Sequence, residues 1–87
     1  MSNDIFFDLC KREVVEYFNQ HADKTDHKKI TEDDVFIVWA CKILQNNKAL
    51  VSTTVPDGMY YEVTYDGDKQ QAYVDIYKKW QNYSVIV

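Results

Sequence analysis

Glycine, proline and cysteine are scarce in this chain of 87 residues: two glycines, one proline and two cysteines. Gly58 and Gly67 are too few for a phosphate-cradling loop, which gathers several glycines into one turn. Cys10 and Cys41 cannot build a disulfide framework. No CxxC or HxxxH pair stands beside His21 and His27, so the spacing of a metal site is missing and no metal or cofactor is expected. The three serines (Ser2, Ser52, Ser84) sit in no nucleophile motif. Basic charge is short as well. Ten Lys and Arg against fourteen Asp and Glu leave a net charge of −4, the wrong sign for a duplex-DNA binder. The longest apolar run, Val35–Cys41, falls far below the ~20 residues of a membrane span. No basic n-region and apolar h-region open the sequence. These absences predict a non-enzymatic, cytoplasmic protein with no membrane partner and nucleic acid as an unfavoured one.

What is present suits one small domain. The hydrophobic fraction is 46%, enough for a single modest core over residues 1–87. Phe6, Leu9, Cys10, Val14, Tyr17 and Phe18 recur at helical spacing, and Ser2 or Asn3 can cap the start. The helix is expected over residues 1–22. A polar linker follows over residues 23–34, with DKTDHKK at 23–29 wholly polar. All the net negative charge lies in residues 1–34, which hold nine acids and five bases. Glu32, Asp33 and Asp34 close that stretch. They read as a solvated cap, or as an acidic surface that meets a basic partner.

Residues 35–87 predict an antiparallel sheet. Val35–Trp39 is β-branched and aromatic, and Ala49–Thr54 is a good strand. A hairpin of 35–45 with 48–55, turning at Asn46-Asn47, accounts for both; a second helix beginning at Thr31 is the competing reading. Simple alternation would put Val35, Ile37, Trp39, Cys41 and Ile43 on one face, and Phe36, Val38, Ala40 and Leu44 on the other. The segment Val55-Pro56-Asp57-Gly58 reads as a turn. Met59–Tyr65 and Gln70–Tyr77 flank Asp66-Gly67, the signature of a hairpin with a type I′ turn. A loop of two or four residues puts Met59, Tyr61, Val63, Ala72, Val74 and Ile76 on a core face. Tyr60, Glu62, Thr64, Gln71, Tyr73, Asp75 and Tyr77 then share the outer one. Tyr83–Val87 is a candidate edge strand. The expected fold is α+β, an N-terminal amphipathic helix packed on a four-stranded antiparallel β-meander. One helix covers one face, so the apolar second face calls for a second copy or another partner.

Tyrosines are the main functional lead, since six of the seven fall between positions 60 and 83. Tyr60, Tyr73 and Tyr77 share the predicted outer face, with Trp80 and Lys79 nearby. Cross-strand pairing alone explains such a group. A contact surface explains it too, because tyrosine offers large rigid area and a hydrogen bond.

Three stretches resemble short uncharacterised proteins of phages and prophages of low-GC Gram-positive bacteria. They are Val38–Leu50 (VWACKILQNNKAL), Tyr60–Lys69 (YYEVTYDGDK) and Tyr73–Trp80 (YVDIYKKW), and the likeness spans roughly residues 5–82. It brings no catalytic motif and no site residues. It implies a small accessory protein that binds a host protein, with an inhibitor of a defence system such as a CRISPR nuclease as the sharpest form. The alternative is a single-stranded nucleic-acid module that stacks bases on the tyrosine face.

Overall fold

The computed structural model describes residues 1–22 and 29–87. Helix α1 (Asn3–His21) is followed by a 3₁₀ turn (Glu32–Asp34) and four strands. These are β1 (Val35–Ile43), β2 (Asn46–Thr53), β3 (Met59–Asp66) and β4 (Gln71–Lys78), in spatial order β1-β2-β3-β4 with every pairing antiparallel. The fold is the α+β arrangement of one helix on an open four-stranded meander.

Helix α1 starts where Ser2 leaves the helical region and its hydroxyl accepts from the Ile5 amide at 3.3 Å, which satisfies one of the orphan donors of the first turn. Phe6, Cys10, Val14 and Phe18, four residues apart, form its buried stripe. Burying side chains of this size stabilises by roughly 1.5–3 kcal/mol each for the larger ones. The helix ends at His21, and Ala22 is already extended. Much of the expected linker, residues 23–28, lies outside the described residues. Beyond it, Ile30 is in the core. The Asn19 carboxamide clamps its backbone from both sides, accepting from the Ile30 amide at 2.9 Å and donating to its carbonyl at 3.0 Å.

The sheet presents Val35 and Ile37 of β1, Asn47, Ala49, Val51 and Thr53 of β2, and Tyr61 and Val63 of β3 to the helix. Contacts of α1 run to β1, β2 and β3. The β3–β4 register pairs Tyr61 with Ile76 and Val63 with Val74, so the sorting of that hairpin into a core face and an outer face holds. Its turn differs. Asp66 pairs with Gln71 across a four-residue loop, Gly67 does not take a positive φ, and Gln70 does, at 53°. The Asp66 carboxylate accepts from the Asp68 and Lys69 amides, organising the loop without a type I′ pair. A four-residue loop preserves the parity of a two-residue one, which is why the faces came out unchanged.

Three other expectations need correction. The first hairpin turns at Leu44-Gln45, with Ile43 opposite Asn46 and Leu44 at φ 56°. Asn46 and Asn47 are therefore strand residues. The pairing slips between Ile37 and Trp39, a β-bulge at Val38. One extra residue reverses alternation beyond it: Trp39, Cys41 and Ile43 join Phe36 on the face away from the helix, while Ala40 and Lys42 turn towards the helix side. Finally, residues 79–87 form no edge strand in the chain itself and are exposed throughout.

Candidate functional site

The bulge decides the character of the uncovered face. Without it, the strand would send Trp39, Cys41 and Ile43 to the helix side. With it, they open onto the other side, with Trp39 45% exposed. The register lays this face out in rows. Trp39 stands opposite Leu50, Leu50 opposite Glu62, and Glu62 opposite Asp75. Cys41, Lys48, Thr64 and Tyr73 form the next row. Towards the other end of the sheet lie Phe36 and the directly paired Tyr60 and Tyr77. Phe36, Trp39, Ile43, Tyr73 and Tyr77 are all exposed.

The expected site residues separate into three groups. Tyr60, Tyr73 and Tyr77 are on the open face as the alternation requires. The Lys79 ammonium lies 5.8 Å from the Tyr60 ring centre, a cation–π geometry, and the Tyr73 hydroxyl donates to Gln71 at 2.8 Å. Trp80 lies beyond β4 and is 95% exposed. Glu32, Asp33 and Asp34 form the 3₁₀ turn that leads into β1. Asp34 is occupied there: its carboxylate accepts from the Thr31 amide and the Thr54 hydroxyl. Glu32 and Asp33 are exposed. Phe36, Trp39, Ile43 and Leu50 were not among the expected contact residues, because the bulge that places Trp39 and Ile43 there leaves no glycine or proline in Ile37-Val38-Trp39.

Charge on this face is mixed and partly neutralised. Lys48 and Glu62 form an ion pair at 3.5 Å, and Asp75 stands next to Glu62 across the strands. Two carboxylates in the middle of the platform oppose the approach of a phosphate backbone.

A concavity of about 220 Å³ lies at the far end of α1 between Tyr17, His21, Val55, Asp57, Met59 and Tyr61. His21 Nδ1 is 2.8 Å from the Tyr17 carbonyl, and its ring stacks on Tyr17. The Asp57 carboxylate accepts from the Met59 amide. Burial, reinforced by the charge of Asp57 and by Tyr17, raises the Tyr61 hydroxyl above its ordinary value, so it stays neutral. Among the described residues no group of three or more His, Cys, Asp or Glu could hold a metal ion. No helix there is long and apolar enough to cross a membrane.

The two thiols differ sharply. Cys10 is fully buried, and burial pushes its thiol up to about 12; Cys41 is exposed on the open face. Iodoacetamide at neutral pH is expected to label one thiol per native chain, at Cys41, and Cys10 only after denaturation. Peptide mapping that found Cys10 alkylated in the native protein would contradict the packing of α1.

A family profile described as a family of unknown function, DUF6275, matches residues 7–87, and the chain belongs to that family. No curated protein and no solved structure matches it.

Proposed function

We propose that this member of an uncharacterised family is a non-enzymatic binding protein that docks another protein on the open sheet face. The carrying observation is the uncovered cluster of Phe36, Trp39, Ile43, Tyr73 and Tyr77, set on a rigid sheet whose opposite face alone is packed by α1. Exposed aromatics on a fixed backbone provide contact area at small entropic cost, the composition found at interface hot spots. Trp39, on the β1 edge, is one anchor. Phe36 lies beside it on β1 and Tyr77 on the opposite edge, β4, while the Lys48–Glu62 pair and Asp75 between them supply polar specificity. The likeness to small phage and prophage proteins supports a host protein as the partner, with a defence nuclease as one candidate target. Glu62 and Asp75 weigh against the single-stranded nucleic-acid reading.

The test is a tagged pull-down from host lysate with wild type and three variants, Trp39→Ala, Tyr73→Ala/Tyr77→Ala and Glu32→Lys/Asp33→Lys. The expected result is one protein captured at near-equal stoichiometry by wild type. Its dissociation constant should rise at least about tenfold in both open-face variants, as for hot-spot truncations. The acidic-turn variant should change it little. Capture unaffected by the aromatic variants would overturn the assignment, as would a captured species that proved to be nucleic acid.

A further inference from the structure

Two unpaired features of the chain fit one another. The first is residues 80–87, WQNYSVIV, an arm that follows β4 outside any helix or strand and carries no charged side chain. Trp80, Tyr83, Val85 and Ile86 are all exposed, Ile86 completely. Tyr83-Ser84-Val85-Ile86-Val87 has the β-branched and aromatic composition of a strand. An uncharged segment of this kind, left unpaired, is prone to add to a sheet edge.

The second feature is the outer edge of β4. Sheet order leaves Gln71–Lys78 paired on one side alone, to β3. Next to that edge, on the helix side, runs a groove of about 220 Å³ lined by Val74 and Ile76 below and Tyr17, Glu13, Glu16 and Gln20 of α1 above. Val74 and Ile76 face the helix side yet remain half-buried, because α1 lies mainly over the other three strands. A fifth strand at this edge would complete their cover.

The arm does not reach that edge within its own chain. Residues 79–87 form no strand in their own chain, and the outer edge of β4 stays unpaired there. The Lys79 amide donates to the Gly58 carbonyl, which carries the β3–β4 pairing one residue past Lys78. We propose that the arm is exchanged: residues 83–87 of each copy pair antiparallel with the outer edge of β4 in a second copy, closing a two-fold dimer.

With the arm running on from β4 as one strand in the dimer, symmetry fixes which side chains go where. In an antiparallel pair, opposite residues point to the same face, and the two-fold axis stands perpendicular to the sheet. Opposed residues then have numbers of equal parity. Ser84 and Ile86 therefore join Val74 and Ile76 on the helix side, with Ile86 entering the groove. Tyr83, Val85 and Val87 join Tyr73, Asp75 and Tyr77 on the open face. The same axis sets both open faces on one side of a continuous sheet. The binding platform proposed above is left free and is extended. The dimer rests on the β4 edge and the groove rather than on Trp39, so the two proposals fail independently.

The experiment is light scattering on the full chain from about 1 μM to 1 mM, with hydrogen exchange read at the amides of β4. Wild type is expected to dimerise, and the β4 amides that point away from β3 are expected to be protected. Val85→Asp/Ile86→Asp changes two exposed arm residues and leaves the core untouched. It should raise the dimer dissociation constant at least about tenfold and release those amides to exchange. Trp39→Ala should leave the dimer intact. A wild type monomeric throughout the range would overturn the exchange. So would a dimer that survives the arm charges, one lost without change at the β4 amides, or one lost with Trp39→Ala.

Discussion

Replacing Asn47 with leucine is expected to stabilise the domain by roughly 1–3 kcal/mol. Asn47 sits on the helix side of β2, opposite Lys42 on β1 and Tyr65 on β3, and is 1% exposed. Neither its amide oxygen nor its amide nitrogen has a hydrogen-bond partner among the described residues. Each carries the cost of leaving water without a compensating bond, while the residues beside it along the strand face, Ala49 and Val51, are apolar and fully buried. Leucine branches at the same carbon and is the larger side chain, so it removes the penalty and opens no cavity, at a packing cost that offsets part of the gain. Asn47→Ala removes the same polar atoms but leaves a void, and should fall below Asn47→Leu by about 2 kcal/mol or more. For a domain of this size 1 kcal/mol moves Tm by about 4–8 °C, so thermal unfolding separates the three proteins. A leucine variant that melts below wild type would overturn this expectation.

The helix and the second hairpin were legible because each rests on one unbroken period. Phe6, Cys10, Val14 and Phe18 repeat every four residues, and their packing follows from that spacing alone. Residues 59–77 alternate cleanly, so even an incorrect turn type left every side chain on its expected face. The first hairpin carries no such check. Val35–Cys41 is apolar at every position, so a register slip leaves no polar residue stranded, and the bulge at Val38 is silent in the composition. Its consequence shows only in the pairing beyond it. Ala40 stands opposite the fully buried Ala49 on the helix side, while Trp39 is turned out with Leu50. The tyrosine half of the open face was thus readable from alternation, and the Trp39 half was not. Asn46-Asn47 misled for a related reason. Asparagine favours turns, but here Asn46 accepts the Gly67 amide from strand β2 and Asn47 is buried.

The loop end of the sheet carries the other large effect: Gly67→Ala is expected to destabilise by about 1–3 kcal/mol. Its backbone φ is ordinary for any residue, so conformational freedom is not what requires glycine here. The requirement is space. The two hairpin loops meet at this end. The Gln45 side chain donates to the Asp68 carboxylate at 2.6 Å, and the Gly67 amide donates to Asn46 Oδ1 at 3.0 Å. A β-carbon on residue 67 would collide with the Gln45 backbone carbonyl and stand 2.7 Å from the Gln45 β-carbon. Because the carbonyl belongs to the main chain, the clash is relieved only by moving one loop away from the other. That motion breaks both hydrogen bonds of the clasp. Shortening the neighbour therefore should not rescue it: Gly67→Ala/Gln45→Ala is expected to remain at least as unstable as Gly67→Ala in urea titration. Recovery of wild-type stability in the double variant would place the conflict in the glutamine side chain instead of the backbone. Both loops lie at the end of the sheet remote from Phe36, Tyr60 and Tyr77, where β1 begins and β4 ends. Gly67→Ala is accordingly expected to lower Tm while leaving partner affinity at the open face within about twofold below the melting range, which separates the scaffold's stability from its contact surface.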